Sequence, residues 1–246
     1  MNPTGLRLEL SGLSRTFAGK GGVSDVSVRV PDAAIYVLCG ANGAGKTTTI
    51  SVIAGLLFAQ AGSLLLQSRA IPLDRDARRP GLGFVPDHPY LDSELTAVQW
   101  LAFVRQLKRC GGVIAQEEVA DALRLSASEL RLPIRELSFG TRRKVALWTE
   151  FASCSSLLLL DEPLIGLDPP SIAGFQWIAE RFASTGSSIL MSTHLLAEAE
   201  TIATHVGVLS SGRTVLEGRL EDVVGDATLL EAFMRGESSS QSGHRQ

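Results

Sequence analysis

The stretch GANGAGKT, residues 40–47, follows the apolar run AAIYVLC (33–39) and precedes TTISVIAGLL (48–57). It fits the spacing G-x-x-x-x-G-K-[ST], in the strand–loop–helix setting that this spacing requires. Gly43 and Gly45 can take backbone conformations that a side chain would block, so successive N–H groups can turn inward around a phosphate. Lys46 supplies a point charge for the outer phosphates of a nucleotide. Thr47 offers its hydroxyl to Mg²⁺, and the helix that starts here adds its N-terminal dipole. Gly40, Ala41, Asn42, Gly43, Ala44, Gly45, Lys46, Thr47 and Thr48 are therefore the candidate phosphate-binding residues. The competing reading, an accidental glycine turn, does not account for the strand and helix on either side.

Two more apolar runs end in polar groups. Residues 157–162 read LLLLDE. Neighbouring residues of a strand point opposite ways, and at its end the chain is already turning. Asp161 can then reach a metal ion while Glu162 faces the terminal phosphate as a general base. A water polarised there gains ~10²–10⁴-fold in rate. Residues 187–194, SSILMSTH, bring His194 to a third strand end. It is either a structural histidine or a contact to the same phosphate; His88, His205 and His244 have no such setting. Ligands of open α/β sheets gather where the carboxyl ends of strands meet.

Around these runs, residues 6–10 and 26–30 alternate apolar and other residues, as strands with one buried face do. Residues 64–71 read as a further strand, and 206–217 as a hairpin turning at Ser211-Gly212. Between them the period becomes helical. Val98, Leu101 and Ala102 form a stripe over 96–109, with Arg105 and Lys108 off it. Val119, Ala122 and Leu123 form another over 117–125, beyond Gly111-Gly112. The chain thus reads as α/β with a helical segment at about 88–155. A polar tail, 235–246, reads as disordered.

Composition narrows the classes. At 246 residues, with 45% apolar and 20% charged residues, the chain can build one large domain with a sub-domain. A net charge of −3 gives no general basic field for nucleic acid. Cys39, Cys110 and Cys154 are too few and too widely spaced for a metal cluster or a disulfide framework. The opening MNPTGLRLEL has no basic segment followed by an apolar one, so no secretory signal is expected. Residues 47–68 carry no charge, but their Thr, Ser and Gln and the central Gly62 suit a buried helix, a turn and a strand rather than a membrane span.

One segment is harder to place. In ELSFGTRRK, residues 136–144, the turn Ser138-Phe139-Gly140-Thr141 leads into Arg142, Arg143 and Lys144 at the start of a helix. That end already carries roughly half a positive charge. Either the cations form a solvated face, or an anion arrives from elsewhere.

The ordered set Phe17, GANGAGKTT, GFVPDHPYL, LSFGT, LLLLDEP, GLDP and STHLLAEAE resembles the nucleotide-binding subunit of ATP-binding cassette (ABC) transporters, from about residue 6 to 225. The resemblance implies one cassette over 1–234: a P-loop NTPase with a RecA-like core, an antiparallel β subdomain and a helical subdomain. It implies binding and hydrolysis of ATP with Mg²⁺. Glu162, His194 and Lys46 would be catalytic; Thr47, Asp161 and Asp87 would serve the metal. Phe17 would stack on adenine, unless it is a core residue. LSFGT matches the family's signature turn, and it departs at Phe139 and Thr141. Ser138, Phe139 and Gly140 would receive the phosphate held by a partner cassette, and Asp168 would contact across that dimer. Asp87 falls where many members have Gln, which resembles the subgroup that exports drugs, antibiotics or lipids.

The implied partners are a second cassette, identical or not, and integral membrane subunits docking near 87–107. Tyr90, Leu91, Leu95 and Trp100 would form either that docking patch or part of the helical core. The implied location is the cytoplasmic face of the membrane. The rival readings are a soluble cassette ATPase without membrane partner and a regulatory half that holds ATP without hydrolysing it.

Overall fold

The computed structural model describes residues 5–17, 21–77, 79–109, 112–153, 155–225 and 227–234. Cys110, Gly111, Cys154, His244 and the tail from 235 lie outside them. Two sheets carry the fold. A four-stranded antiparallel sheet has the order β2-β1-β4-β5, from β1 (Leu6–Thr16), β2 (Gly22–Pro31), β4 (Ala61–Leu66) and β5 (Arg69–Ile71). A six-stranded sheet has the order β10-β9-β3-β8-β7-β6. Its strands are β3 (Ile35–Gly40), β6 (Leu82–Val85), β7 (Leu157–Asp161), β8 (Ser188–Thr193), β9 (His205–Ser210) and β10 (Arg213–Arg219). Only β10 runs antiparallel in it.

The strand sequences follow from these positions. β3, β7 and β8 are buried at every residue, which is why they read as unbroken apolar runs. β1 and β2 alternate, sending Leu8, Leu10, Val26, Val28 and Val30 inward. Helix α1 (Lys46–Ala54) lies between the two sheets and buries Ile50, Val52 and Ile53 in a core shared with both. A second core joins the other face of the large sheet to α2 (Ala97–Lys108), α3 (Gln116–Ala122), α4 (Phe139–Phe151) and α5 (Pro169–Ser184).

Two sequence expectations are corrected. Residues 64–71 are not one strand, because Gln67 and Ser68 both take positive φ, 50° and 63°, and turn β4 back into β5. The stripe on α2 is also rotated: Ala97 and Leu101 are buried, whereas Val98 and Ala102 face outward. Arg105 and Lys108 lie on the inner side, where Arg105 donates to Ala152 O and Lys108 pairs with Glu150 at 2.6 Å. Long apolar stems let both cations cover the core with their charged ends satisfied. Burial pushes the Glu150 carboxyl up, and Lys108 opposes that shift.

Candidate active site

Register aligns the strand ends. Leu38 and Asp161 both pair with Ser192, and Cys39 pairs with Thr193. The loops that leave β3, β7 and β8 therefore surround one cavity of about 350 Å³. The candidate site residues Asn42, Gly43, Gly45, Lys46, Thr47, Thr48, Asp87, Glu162 and His194 line it, together with Gly22 and Ile165, which the sequence did not single out.

The phosphate loop is held from behind. Lys46 Nζ donates to Gly40 O at 2.7 Å and Ala41 O at 3.3 Å, and lies 3.6 Å from Glu162 Oε1. Gly45 caps α1 at φ 105°, and a Cβ there would come within 2.4 Å of Val23 Cγ1. Conformation and contact with β2 both require glycine. Cys39, just before the loop, is a buried thiol pushed up to about 12 by desolvation, so it is a neutral packing group.

Asp161 is nearly buried. Its Oδ1 accepts from Ser192 Oγ at 2.5 Å and from Thr47 Oγ1 at 3.3 Å. Among the described residues no cluster of three or more His, Cys, Asp or Glu could hold a metal by itself. The hydroxyl and carboxylate of Thr47 and Asp161 nevertheless fit Mg²⁺, which takes few protein oxygens and fills its shell with water and phosphate.

Glu162 leaves β7 at φ 49°, a left-handed conformation uncommon for a residue with a side chain. Its N–H donates to Ser192 Oγ at 3.0 Å and Ser192 O at 3.2 Å. Its Oε2 lies 3.0 Å from His194 Nδ1 and accepts from the His194 N–H at 3.4 Å. The carboxylate is thus suspended between Lys46 and His194 at the cavity wall.

Each cation of the LSFGT helix has a partner within the chain. Arg142 Nε donates to Leu137 O at 2.9 Å, and Lys144 Nζ pairs with Asp168 Oδ2 at 3.2 Å. Arg143 turns into the core. Ser138 caps α4, its Oγ accepting from Thr141 N at 3.1 Å. A Cβ on Gly140 would meet Gly166 O at 2.8 Å, so the turn sits directly against the loop that leads to Asp168. Asp168 caps α5 by accepting from Ser171 N at 2.8 Å. Its Ser171 hydrogen bonds, with Lys144 adding, hold its carboxyl down at about 2.

Ser138, Phe139, Gly140, Asp168 and Phe17 do not line the cavity. The Phe17 ring is partly exposed, with the Arg15 guanidinium 5.2 Å from its centroid. Tyr90 is 84% exposed, whereas Leu91 and Trp100 pack against the helical core. Ser192 and Arg143 are the partners that sequence reasoning missed. Ser192 left a signal: it is a polar residue inside an apolar strand, where a buried hydroxyl needs a partner.

Residues 23–165, more than half of the chain, match the ABC transporter family (ABC_tran). The chain belongs to that family. The Nod factor export ATP-binding protein I of Rhizobium etli is 31% identical over 222 residues, covering 88% of this chain and 69% of the relative. A solved structure of the ATP-binding subunit of an ABC transporter matches with a TM-score of 0.78 at 28% identity, over 93% of this chain and 98% of that one. The cassette MJ0796, solved as a dimer with ADP and Pi, has the same fold: its TM-score is 0.75 at 21% identity, covering 87% of this chain and 98% of that one. This ABC chain is an ATPase cassette, with the fold that its motifs implied. No helix among its described residues is long and apolar enough to cross a membrane.

Proposed function

We propose that this ABC cassette hydrolyses ATP with Glu162 as general base and powers export through separate membrane subunits. The observation that carries the reading is the Glu162 carboxylate, fixed between Lys46 at 3.6 Å and His194 at 3.0 Å beside the phosphate loop. The loop N–H groups and the α1 N-terminus bind the phosphates of ATP, and Lys46 neutralises the outer two. Glu162 takes a proton from the attacking water as its oxygen bonds to the γ-phosphorus, and ADP leaves. His194 keeps the carboxylate oriented and contacts the γ-phosphate. Thr47 and Asp161 would hold Mg²⁺, with Asp87 facing the same space. Bound there, the ion would neutralise charge on the phosphate oxygens. Phe17 stacks on adenine.

Ser138 and Phe139 of the capped turn are exposed, and neither they nor Gly140 line the cavity of their own chain. In this reading it faces the ATP of a second cassette, with Asp168 contacting across the dimer. The membrane subunits dock near 87–107, where Tyr90 projects, and the cassette works at the cytoplasmic face. The relative from Rhizobium etli bears an export name, and MJ0796 is a dimer; both support the assignment. Glu162→Gln should lower steady-state ATP turnover by ~10²–10⁴-fold with nucleotide affinity retained. Turnover within a few-fold of the parent would overturn the assignment of the base.

A further inference from the structure

Arg143 is an arginine with 1% of its surface exposed, one turn into helix α4. A buried cation is costly unless its charge is paired and its donors are used. Its Nη1 donates to Glu162 O at 2.5 Å. Its Nη2 donates to Asp87 Oδ1 at 2.7 Å and also to the backbone carbonyl of Asp87. Its Nε has no partner, so the two terminal nitrogens carry all its polar contacts. The Phe139 ring lies 5.5 Å from the guanidinium carbon and covers it on the outer side.

The acceptors are as informative as the donor. Glu162 is in the left-handed region, a conformation that persists only where its surroundings over-determine it. Ser192 fixes the N–H side of that residue, and Arg143 fixes the C=O side. Asp87 follows β6, at the far edge of the sheet, and faces the cavity. One planar fork therefore ties together the end of β7, the loop after β6 and the start of α4.

We propose that Arg143 is a positioning residue: it sets the backbone of Glu162 and locks Asp87 and the LSFGT turn to it as one unit. A movement of that turn is then transmitted to the base, and a movement of the Asp87 loop reaches both. Only a fork serves two acceptors at fixed spacing. Lysine keeps the charge but not the fork.

The proposal rests on Glu162 being the base, so the experiment runs Arg143→Lys beside Glu162→Gln. Steady-state ATP hydrolysis gives kcat and KM, and a fluorescent ATP analogue gives affinity. Arg143→Lys should lose about 10²-fold in kcat, as misplacing a catalytic group by about 1 Å does, with KM and affinity within about twofold. Arg143→Gln removes the buried charge and carries the same expectation if the lysine variant does not fold. Parental kcat in either variant, while Glu162→Gln is inactive, overturns the positioning role alone. Parental kcat in Glu162→Gln overturns the base itself. Loss of affinity in parallel with kcat would make Arg143 a general packing residue and also refute the proposal.

Discussion

Ser192→Ala isolates one hydroxyl at the centre of the site. Ser192 is fully buried, and alanine fills nearly the same volume, so no cavity of consequence is created. Two hydrogen bonds change. The bond to Asp161 Oδ1, at 2.5 Å, has an ionised acceptor, the class worth about 1.5–3 kcal/mol. The bond from Glu162 N is largely replaced, because the same N–H already reaches Ser192 O at 3.2 Å. Asp161 keeps Thr47 Oγ1, but at 3.3 Å. The net expectation is a loss of about 2 kcal/mol. For a chain of this size each kcal/mol lowers Tm by about 2–4 °C, so Tm should fall by about 4–8 °C. Thermal unfolding followed by circular dichroism measures it, and urea unfolding should show a lower midpoint at unchanged slope. ATP turnover should fall as well, since Asp161 loses its anchor. An unchanged Tm would refute the reasoning, because Asp161 would then not depend on Ser192.

Three more outcomes follow from named contacts. Lys108→Met leaves the partly buried Glu150 carboxylate without its cation, with only Ser155 Oγ still donating to it, and should cost about 1–3 kcal/mol at neutral pH. Burial raises the Glu150 carboxyl, and a raised carboxyl disfavours the fold as pH rises through its folded value. The deficit of Lys108→Met should therefore shrink as pH is lowered towards the ordinary carboxylate range; denaturant titrations at several pH values test this. Thr96→Ala breaks the reciprocal cap with Gln99 at the start of α2 and should cost about 1 kcal/mol in urea unfolding while ATP turnover is unchanged. Tyr90→Ala should keep parental Tm and nucleotide affinity, because the ring is exposed, whereas Leu91→Ala should lower Tm. A fall in Tm for Tyr90→Ala as large as that for Leu91→Ala would show that both residues are core.

The fold was legible where burial is two-sided. The unbroken apolar runs of β3, β7 and β8 have the pattern of strands buried on both faces, and the groups at their ends marked the cavity. The hairpin at Ser211-Gly212 was legible because its turn carries a glycine at positive φ. The turn between β4 and β5 was not, because Gln67 and Ser68 take the same conformations without the residues that usually announce them. Charge gave the other errors. Arg105 and Lys108 were placed off the apolar stripe and Arg143 on either a solvated or an anion-receiving face, yet each is turned inward to an acceptor that lies far away in sequence. No periodicity displays such a partner. Arg142, Arg143 and Lys144 are adjacent, yet helical rotation sends them to Leu137 O, Glu162 O and Asp168, which sequence cannot distinguish.

The central claim is that two copies of the LSFGT turn and the phosphate loop complete each other's sites. The measurement is the solution mass of Glu162→Gln with and without Mg-ATP, beside Glu162→Gln/Ser138→Asp. Aspartate keeps the helix cap that Ser138 provides but sets a carboxylate against an incoming phosphate. The account predicts a monomer without nucleotide, a dimer with Mg-ATP, and a monomer again in the Ser138→Asp variant. A chain that binds ATP and stays monomeric, or a dimer indifferent to Ser138→Asp, would contradict it.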